Sequence, residues 1–176
     1  MERNKVVLVD SYDNAVGEME KLMAHQQGIL HRAFSVFIFD DSQRLLLQQR
    51  ADHKYHGARL WTNTCCSHPQ WEEDVALSAK ERLTFEMGII SELKFSHSFI
   101  YRAEVENGLI EYEYDYVFVG YSNQTPIINP SEVRDFKWMT IEEILEDVVV
   151  NSERYTYWFK VAFPMVVEDI RRAISN

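Results

Sequence analysis

The dipeptide Asn107-Gly108 constrains the fold of this chain more than any other feature of its sequence. It separates two strand-like runs, Phe95–Val105 and Leu109–Val119, which are rich in aromatic and β-branched residues. Asn-Gly between such runs is a strong signal for a β-hairpin, because both residues tolerate a positive φ. Further strands are predicted at Lys5–Val9, Ala33–Phe39, Arg44–Gln49 and Val133–Trp138.

Helical signals alternate with these strands. Asp74 can cap a helix with a regular apolar stripe, and Gly88 is suited to end it. A capping box beginning at Thr140 predicts a second helix. A C-terminal helix is predicted at Tyr155–Ile174, with Pro164 expected to kink or delay it. Hairpins with helices between them predict an α+β fold, in which a mixed β-sheet is sandwiched between helices.

Composition limits the possible classes of protein. The 176 residues are 46% hydrophobic, which suits a single domain spanning 1–176 with a proper core. The apolar runs are too short for a membrane span, the N-terminus lacks the apolar segment of a secretion signal, and the two cysteines are adjacent. We therefore expect a cytoplasmic protein. The formal net charge of −10 would repel nucleic acid, and an anionic substrate would require local lysine and arginine or a bridging cation.

Two segments carry residues suited to metal binding and proton transfer. Cys66 precedes His68 by two positions, in the sequence WTNTCCSHP. Glu111 and Glu113 occupy alternate positions of a predicted strand, so both carboxylates face the same side. On its own, an acidic strand face is more typical of solvated surface. Two acids on one face of a central strand, however, would require a cation.

Histidines could complete such a site. His25 ends a predicted short helix, His31 opens a strand and His68 lies in the Cys-x-His segment, but no two of them have ligand spacing. The spacing alone therefore predicts a metal site only weakly. The remaining histidines are predicted to be structural or exposed: His53, His56 and His97.

The segments WTNTCCSHP, FIYRA, GLIEYEY and the spaced pair EKLMAH and HRAFSVFIF resemble type 1 isopentenyl-diphosphate isomerase. The match extends from about Val6 to Trp158, with the motifs in the order of that family. The resemblance implies a Nudix-like fold and the interconversion of isopentenyl and dimethylallyl diphosphate. Its substrate is therefore expected to be a small allylic or homoallylic diphosphate.

The resemblance also implies a metal centre. Five positions match the ligands of the family's divalent ion, for which the donors favour manganese or zinc over magnesium. These positions are His25, His31, His68, Glu111 and Glu113.

The reaction needs an acid–base pair on opposite faces of the alkene. Cys66, with a thiol near its normal pKa, matches the family's cysteine, and we expect Glu113 to be its partner. Trp158 matches a tryptophan that would stabilise the carbocation, although core packing is an equal alternative before the resemblance is considered. Tyr101 matches a tyrosine that supports the glutamate. A three-residue hairpin loop would pair it with Glu113, whereas a two-residue loop would pair it with Tyr114.

The diphosphate would need cations, and four positions match the family's: Lys21, Arg50, Lys54 and Arg82. Each could equally be a solvated surface charge. Glu86 matches the side chain that holds a magnesium ion bridging to the diphosphate.

Two other functions remain possible from the sequence. A Nudix-type diphosphohydrolase is disfavoured because only Leu83, Glu86 and Gly88 conform to the Nudix box. A non-catalytic metal-binding module is weakly disfavoured, because a structural site would recruit the thiolate of Cys66. Tyr157 replaces a proline common in the family, which together with Pro164 affects the expected placement of Trp158.

Overall fold

The computed structural model describes residues 3–176. Nine strands and four α-helices follow one another in these residues. In chain order they are β1 (Lys5–Val9), β2 (Ala15–Glu20), α1 (Lys21–Gln27), β3 (His31–Phe39), β4 (Arg44–Arg50), β5 (Trp61–Thr62), β6 (Cys65–Ser67), α2 (Val75–Met87), β7 (Leu93–Glu104), β8 (Ile110–Tyr121), β9 (Val133–Thr140), α3 (Ile141–Val150) and α4 (Tyr157–Ser175).

The strands form one mixed sheet around β3. Along one edge β3 pairs in parallel with β8 over its whole length, so that His31 lies beside Glu113. Along its other edge β3 pairs antiparallel with β1, β6 and β4 in turn. The hairpin partner of β8 is β7, and β9 lies antiparallel to β4. The predicted mixed sheet is therefore confirmed.

Helices cover both faces of this sheet. On one face Phe37 and Val117 pack against Phe159 and Phe163 of α4. On the other face Phe34, Val36 and Phe118 pack against the apolar stripe of α2. Successive residues of β3 thus alternate between two cores, as the period of a strand requires. A sheet with helices on both faces is the α+β arrangement that the sequence predicts.

Local signals placed most element ends correctly. The Asp74 side chain accepts a hydrogen bond from the Leu77 amide at the start of α2, and Gly88 adopts a φ of 65° at its end. Thr140 forms the predicted capping box of α3. Strands β2, β5 and β6 were not predicted. Helix α4 starts at Tyr157 and continues through Pro164. Among residues 3–176, the helices are too short or too polar to span a lipid bilayer.

Candidate active site

The β7–β8 hairpin determines which side chains face the sheet interior. Its connection is a turn over Glu106–Gly108, in which Asn107 and Gly108 have φ values of 61° and 69°. This longer loop places Tyr101 opposite Glu113, and the Tyr101 hydroxyl donates a 2.6 Å hydrogen bond to Glu113 Oε2. The register with the three-residue loop is therefore the observed one. A slip of one residue would have turned Glu113 to the other face.

Two buried histidines have their tautomers set by backbone carbonyls. His25, in the last turn of α1, donates from Nδ1 to the Lys21 oxygen at 2.7 Å. His31, at the start of β3, donates from Nδ1 to the Ile29 oxygen at 2.8 Å. Each Nε2 then carries a lone pair, and each is buried without a hydrogen-bond partner. This is the arrangement in which proteins hold histidine as a metal ligand.

Carboxylates converge on these free nitrogens. His68 Nε2 lies 2.8 Å from Glu113 Oε1, and His31 Nε2 lies 3.5 Å from the same oxygen. The ligand atoms of this trio and His25 all lie within 4.8 Å of one another. Glu111 joins through His25, whose Nε2 is 3.3 Å from Glu111 Oε2. The unpaired nitrogens and oxygen fit a divalent cation, because imidazole nitrogens and carboxylate oxygens are common metal ligands.

The protonation states of Glu111, Glu113 and His68 also suit metal binding. Burial raises the pKa of Glu111, but the neighbouring imidazoles of His25 and His56 outweigh it and hold that pKa well below its usual range. The pKa of Glu113 is lowered in the same way. Burial lowers the pKa of His68 to about 4, so its imidazole is neutral. Two charged carboxylates and neutral imidazole are the forms that bind cations.

His56 was predicted to be structural or exposed, and the structure buries it beside the metal-binding residues. Its side chain is 7% exposed, and its Nε2 lies 2.8 Å from Glu111 Oε1. With His25 and Glu111 it forms a second group of atoms that could hold a metal. No spacing of residues distinguishes His56, since it lies in the loop between β4 and β5. His53 is exposed as predicted, and half-buried His97 contacts Asp169 away from this cluster.

The adjacent cysteines face opposite sides of the sheet. Cys65 pairs with Val36 and is fully buried in the core under α2. Cys66 pairs with Ser35 and is one of the residues lining the pocket that contains Glu113. The expectation of an ordinary thiol pKa is wrong, because burial raises the pKa of Cys66 to about 12. Cys66 belongs to neither metal-binding group found in residues 3–176.

The pocket has a volume of about 480 Å³. Trp158, at the start of α4, is 5% exposed and forms part of its wall, with the guanidinium of Arg50 5.1 Å from its ring centre. Tyr157 occupies the first position of the helix, where proline is also favoured, so its presence does not displace Trp158. All four cations predicted to bind diphosphate line this pocket: Lys21, Arg50, Lys54 and Arg82.

Acidic side chains hold some of these cations in place. Arg82 contacts Glu86 Oε1 at 2.6 Å and Glu132 Oε1 at 3.4 Å, and Lys54 forms an ion pair with Glu132. Glu86 is buried and also accepts a 3.0 Å hydrogen bond from Gln48. Glu86 lines the pocket but belongs to neither metal-binding group of the described residues. Glu132 was not predicted, because its position near Arg82 arises only from the packing of distant segments.

Comparisons with known proteins agree with this geometry. A family model described as the NUDIX domain matches residues 29–159. The chain is 47% identical over 164 residues to isopentenyl-diphosphate Delta-isomerase 2 of Aromatoleum aromaticum, covering 93% of this chain and 87% of that protein. It is 50% identical over 155 residues to isopentenyl-diphosphate Delta-isomerase 2 of Photorhabdus laumondii, covering 88% of each.

Solved structures share the same fold at low sequence identity. A protein from Deinococcus radiodurans superposes with a TM-score of 0.70 at 18% identity, covering 84% of this chain and 90% of that one. A MutT protein from Methanosarcina mazei gives a TM-score of 0.66 at 15% identity, covering 82% and 95%. The fold is therefore that of NUDIX proteins.

Proposed function

The chain belongs to the isopentenyl-diphosphate Delta-isomerase family, and we propose that it catalyses this isomerisation through proton transfers by Cys66 and Glu113. The enzyme interconverts isopentenyl and dimethylallyl diphosphate, a step in making isoprenoid precursors. One observation carries the assignment of residues. The thiol, the carboxylate, the aromatic wall and four cations line a single pocket.

The diphosphate would bind among the four cations. Its negative charge suits Lys21, Arg50, Lys54 and Arg82, and each charged hydrogen bond contributes about 1.5–3 kcal/mol. Glu86 would hold a magnesium ion that accompanies the diphosphate, since carboxylate oxygen suits that hard cation. The hydrocarbon part of the substrate would then extend toward Cys66 and Glu113.

Moving the double bond requires two proton transfers. One proton is added to the terminal alkene carbon, and another is removed from the carbon nearer the diphosphate. Cys66 extends from β6 and Glu113 from β8, which pair with opposite edges of β3, so we expect the two groups to flank the alkene. The Tyr101 hydroxyl holds Glu113 Oε2, while Oε1 faces His68 Nε2 at 2.8 Å. A proton-transferring group held in this way typically contributes about 10²–10⁴-fold to rate.

The intermediate would be a tertiary carbocation, which water would capture. Trp158 offers an aromatic face without a nucleophile, and such a contact is worth about 2 kcal/mol or more when desolvated. His25, His31, His68, Glu111 and Glu113 would hold a divalent cation. Bound there, that cation would offset the charge of the two buried carboxylates and fix their orientation.

The test is incubation of the protein with isopentenyl diphosphate and magnesium chloride. We expect acid-labile dimethylallyl diphosphate to accumulate, with no release of phosphate or pyrophosphate. Phosphate release without isomerisation would instead indicate a NUDIX hydrolase. The box residues of α2 disfavour that outcome, because positions 82 and 85, which are acidic in the Nudix box, hold arginine and phenylalanine.

A further inference from the structure

His56 differs from the other buried histidines of the cluster in how its ring is held. The Nδ1 atoms of His25 and His31 donate to backbone carbonyls, which leaves each Nε2 free to bind a metal. His56 Nδ1 is buried and has no hydrogen-bond partner. Its Nε2 lies 2.8 Å from a carboxylate oxygen of Glu111, so the proton of a neutral ring belongs on Nε2. His56 is therefore arranged as a hydrogen-bond donor to Glu111, whereas the carboxylate oxygen near His68 Nε2 is also approached by the free nitrogen of His31.

The two carboxylates of the metal centre are held in the same way. Glu113 Oε2 accepts a 2.6 Å hydrogen bond from the Tyr101 hydroxyl, and Glu113 Oε1 faces His31 and His68. Glu111 Oε1 accepts from His56 Nε2. The other oxygen, Glu111 Oε2, is buried, unpaired and 3.3 Å from the free nitrogen of His25. Each carboxylate thus has one oxygen bound by a residue outside the group of His25, His31 and His68, and one oxygen directed at that group.

We propose that His56 is a positioning residue of the metal centre, which fixes Glu111 so that only Oε2 is presented to a divalent cation. The rest of the pocket wall holds His56 in turn. Arg50 donates to the His56 carbonyl oxygen at 3.1 Å, and the ring of His56 lies edge-on to Trp158 with centres 6.0 Å apart. The His25 ring stacks on the His56 ring, with centres 5.4 Å apart. The loop after β4 thereby connects a diphosphate-binding arginine to a metal ligand.

The proposal rests on the metal centre of the proposed function, so its test measures metal binding directly. Zinc is titrated by calorimetry into metal-free wild type, His56→Ala and His56→Gln. Loss of a hydrogen-bond partner of a metal ligand typically costs about 10–100-fold in affinity. We expect that loss for His56→Ala and recovery of most of it in His56→Gln, because an amide N–H can also donate to Glu111. The matched control is His53→Ala, in the same loop but exposed, which should bind zinc as the wild type does.

X-ray absorption of the zinc-loaded proteins distinguishes a donor from a ligand. We expect three imidazoles around zinc in the wild type and the same three in both His56 variants. If the zinc has four imidazole ligands in the wild type and three in the His56 variants, His56 is itself a ligand and the proposal is overturned. Unchanged zinc affinity in His56→Ala would also overturn it. If His56→Ala does not fold, His56→Gln with the same two measurements decides. Isomerase activity of the wild type tests the proposed function separately.

Discussion

Substituting Cys65 and Cys66 by alanine should have opposite consequences, although the two residues are adjacent. Cys66 lines the pocket with Glu113, whereas Cys65 is fully buried beneath α2. Loss of a positioned proton-transferring group typically costs about 10²–10⁴-fold in rate. We therefore expect Cys66→Ala to lower kcat by about 10²-fold or more. KM should stay near the wild-type value, because the cations that would hold the diphosphate are unchanged.

Cys65→Ala should instead lower stability and spare activity. The substitution removes one sulfur atom from a packed core, a change comparable to the loss of one methyl group. Such losses cost about 0.5–1.5 kcal/mol, including the cavity that is left. For a chain of this size, about 1 kcal/mol lowers Tm by about 2–4 °C. Cys66→Ala leaves that core intact and should melt close to the wild type.

Two measurements on the two purified variants separate these effects. Production of acid-labile product from isopentenyl diphosphate gives kcat and KM, and calorimetry gives Tm. An active Cys66→Ala and an inactive, normally folded Cys65→Ala would mean that the thiols are assigned to the wrong faces. In that case the register of β6 against β3, and with it the position of His68, would have to be redrawn.

Three other substitutions test separate parts of the structure. Tyr101→Phe leaves Glu113 Oε2 unpaired at a cost of about 1–3 kcal/mol, so kcat/KM should fall about 5–150-fold; an unchanged kcat/KM would exclude this support role. Lys21→Ala should raise KM about 10–150-fold with little change in kcat, since the diphosphate is unaltered by the reaction. A large fall in kcat alone would contradict that. Gly88→Ala would put a Cβ 2.8 Å from Ile127 Cβ at a φ of 65°, so calorimetry should show a loss of about 2 kcal/mol or more; a Tm within a degree of the wild type would refute it.

Local sequence signals predicted much of the fold because their physics is local. Asp74 caps α2 through one side-chain bond to a nearby amide, and Asn107 and Gly108 adopt the positive φ values that such residues favour in hairpins. These features require no knowledge of distant residues. Strand β2 escaped prediction because Ala15–Glu20 is an edge strand with little buried surface and a glycine at its centre. Only its pairing with β1 identifies it as a strand.

The candidate site was predictable only in part. Glu111 and Glu113 are two positions apart on a strand, where alternate side chains face the same side, so their common face follows from the sequence. His56 has no such spacing, because it lies in a loop whose path is set by Arg50 and Trp158. The functional role of a loop residue depends on contacts between segments far apart in the chain, here about 55 residues between His56 and Glu111.

A net charge of −10 and an anionic substrate are compatible because the fold sorts charge locally. Arg50, Lys54 and Arg82 line one pocket with Lys21, and like charges about 4 Å apart repel by about 1 kcal/mol even in water. Glu132 forms ion pairs with both Lys54 and Arg82, which offsets part of that repulsion. Burial and the neighbouring cations lower the pKa of Lys21, as expected where positive charge is concentrated. The sign of the field that a diphosphate meets therefore depends on these few side chains and not on the charge of the whole chain.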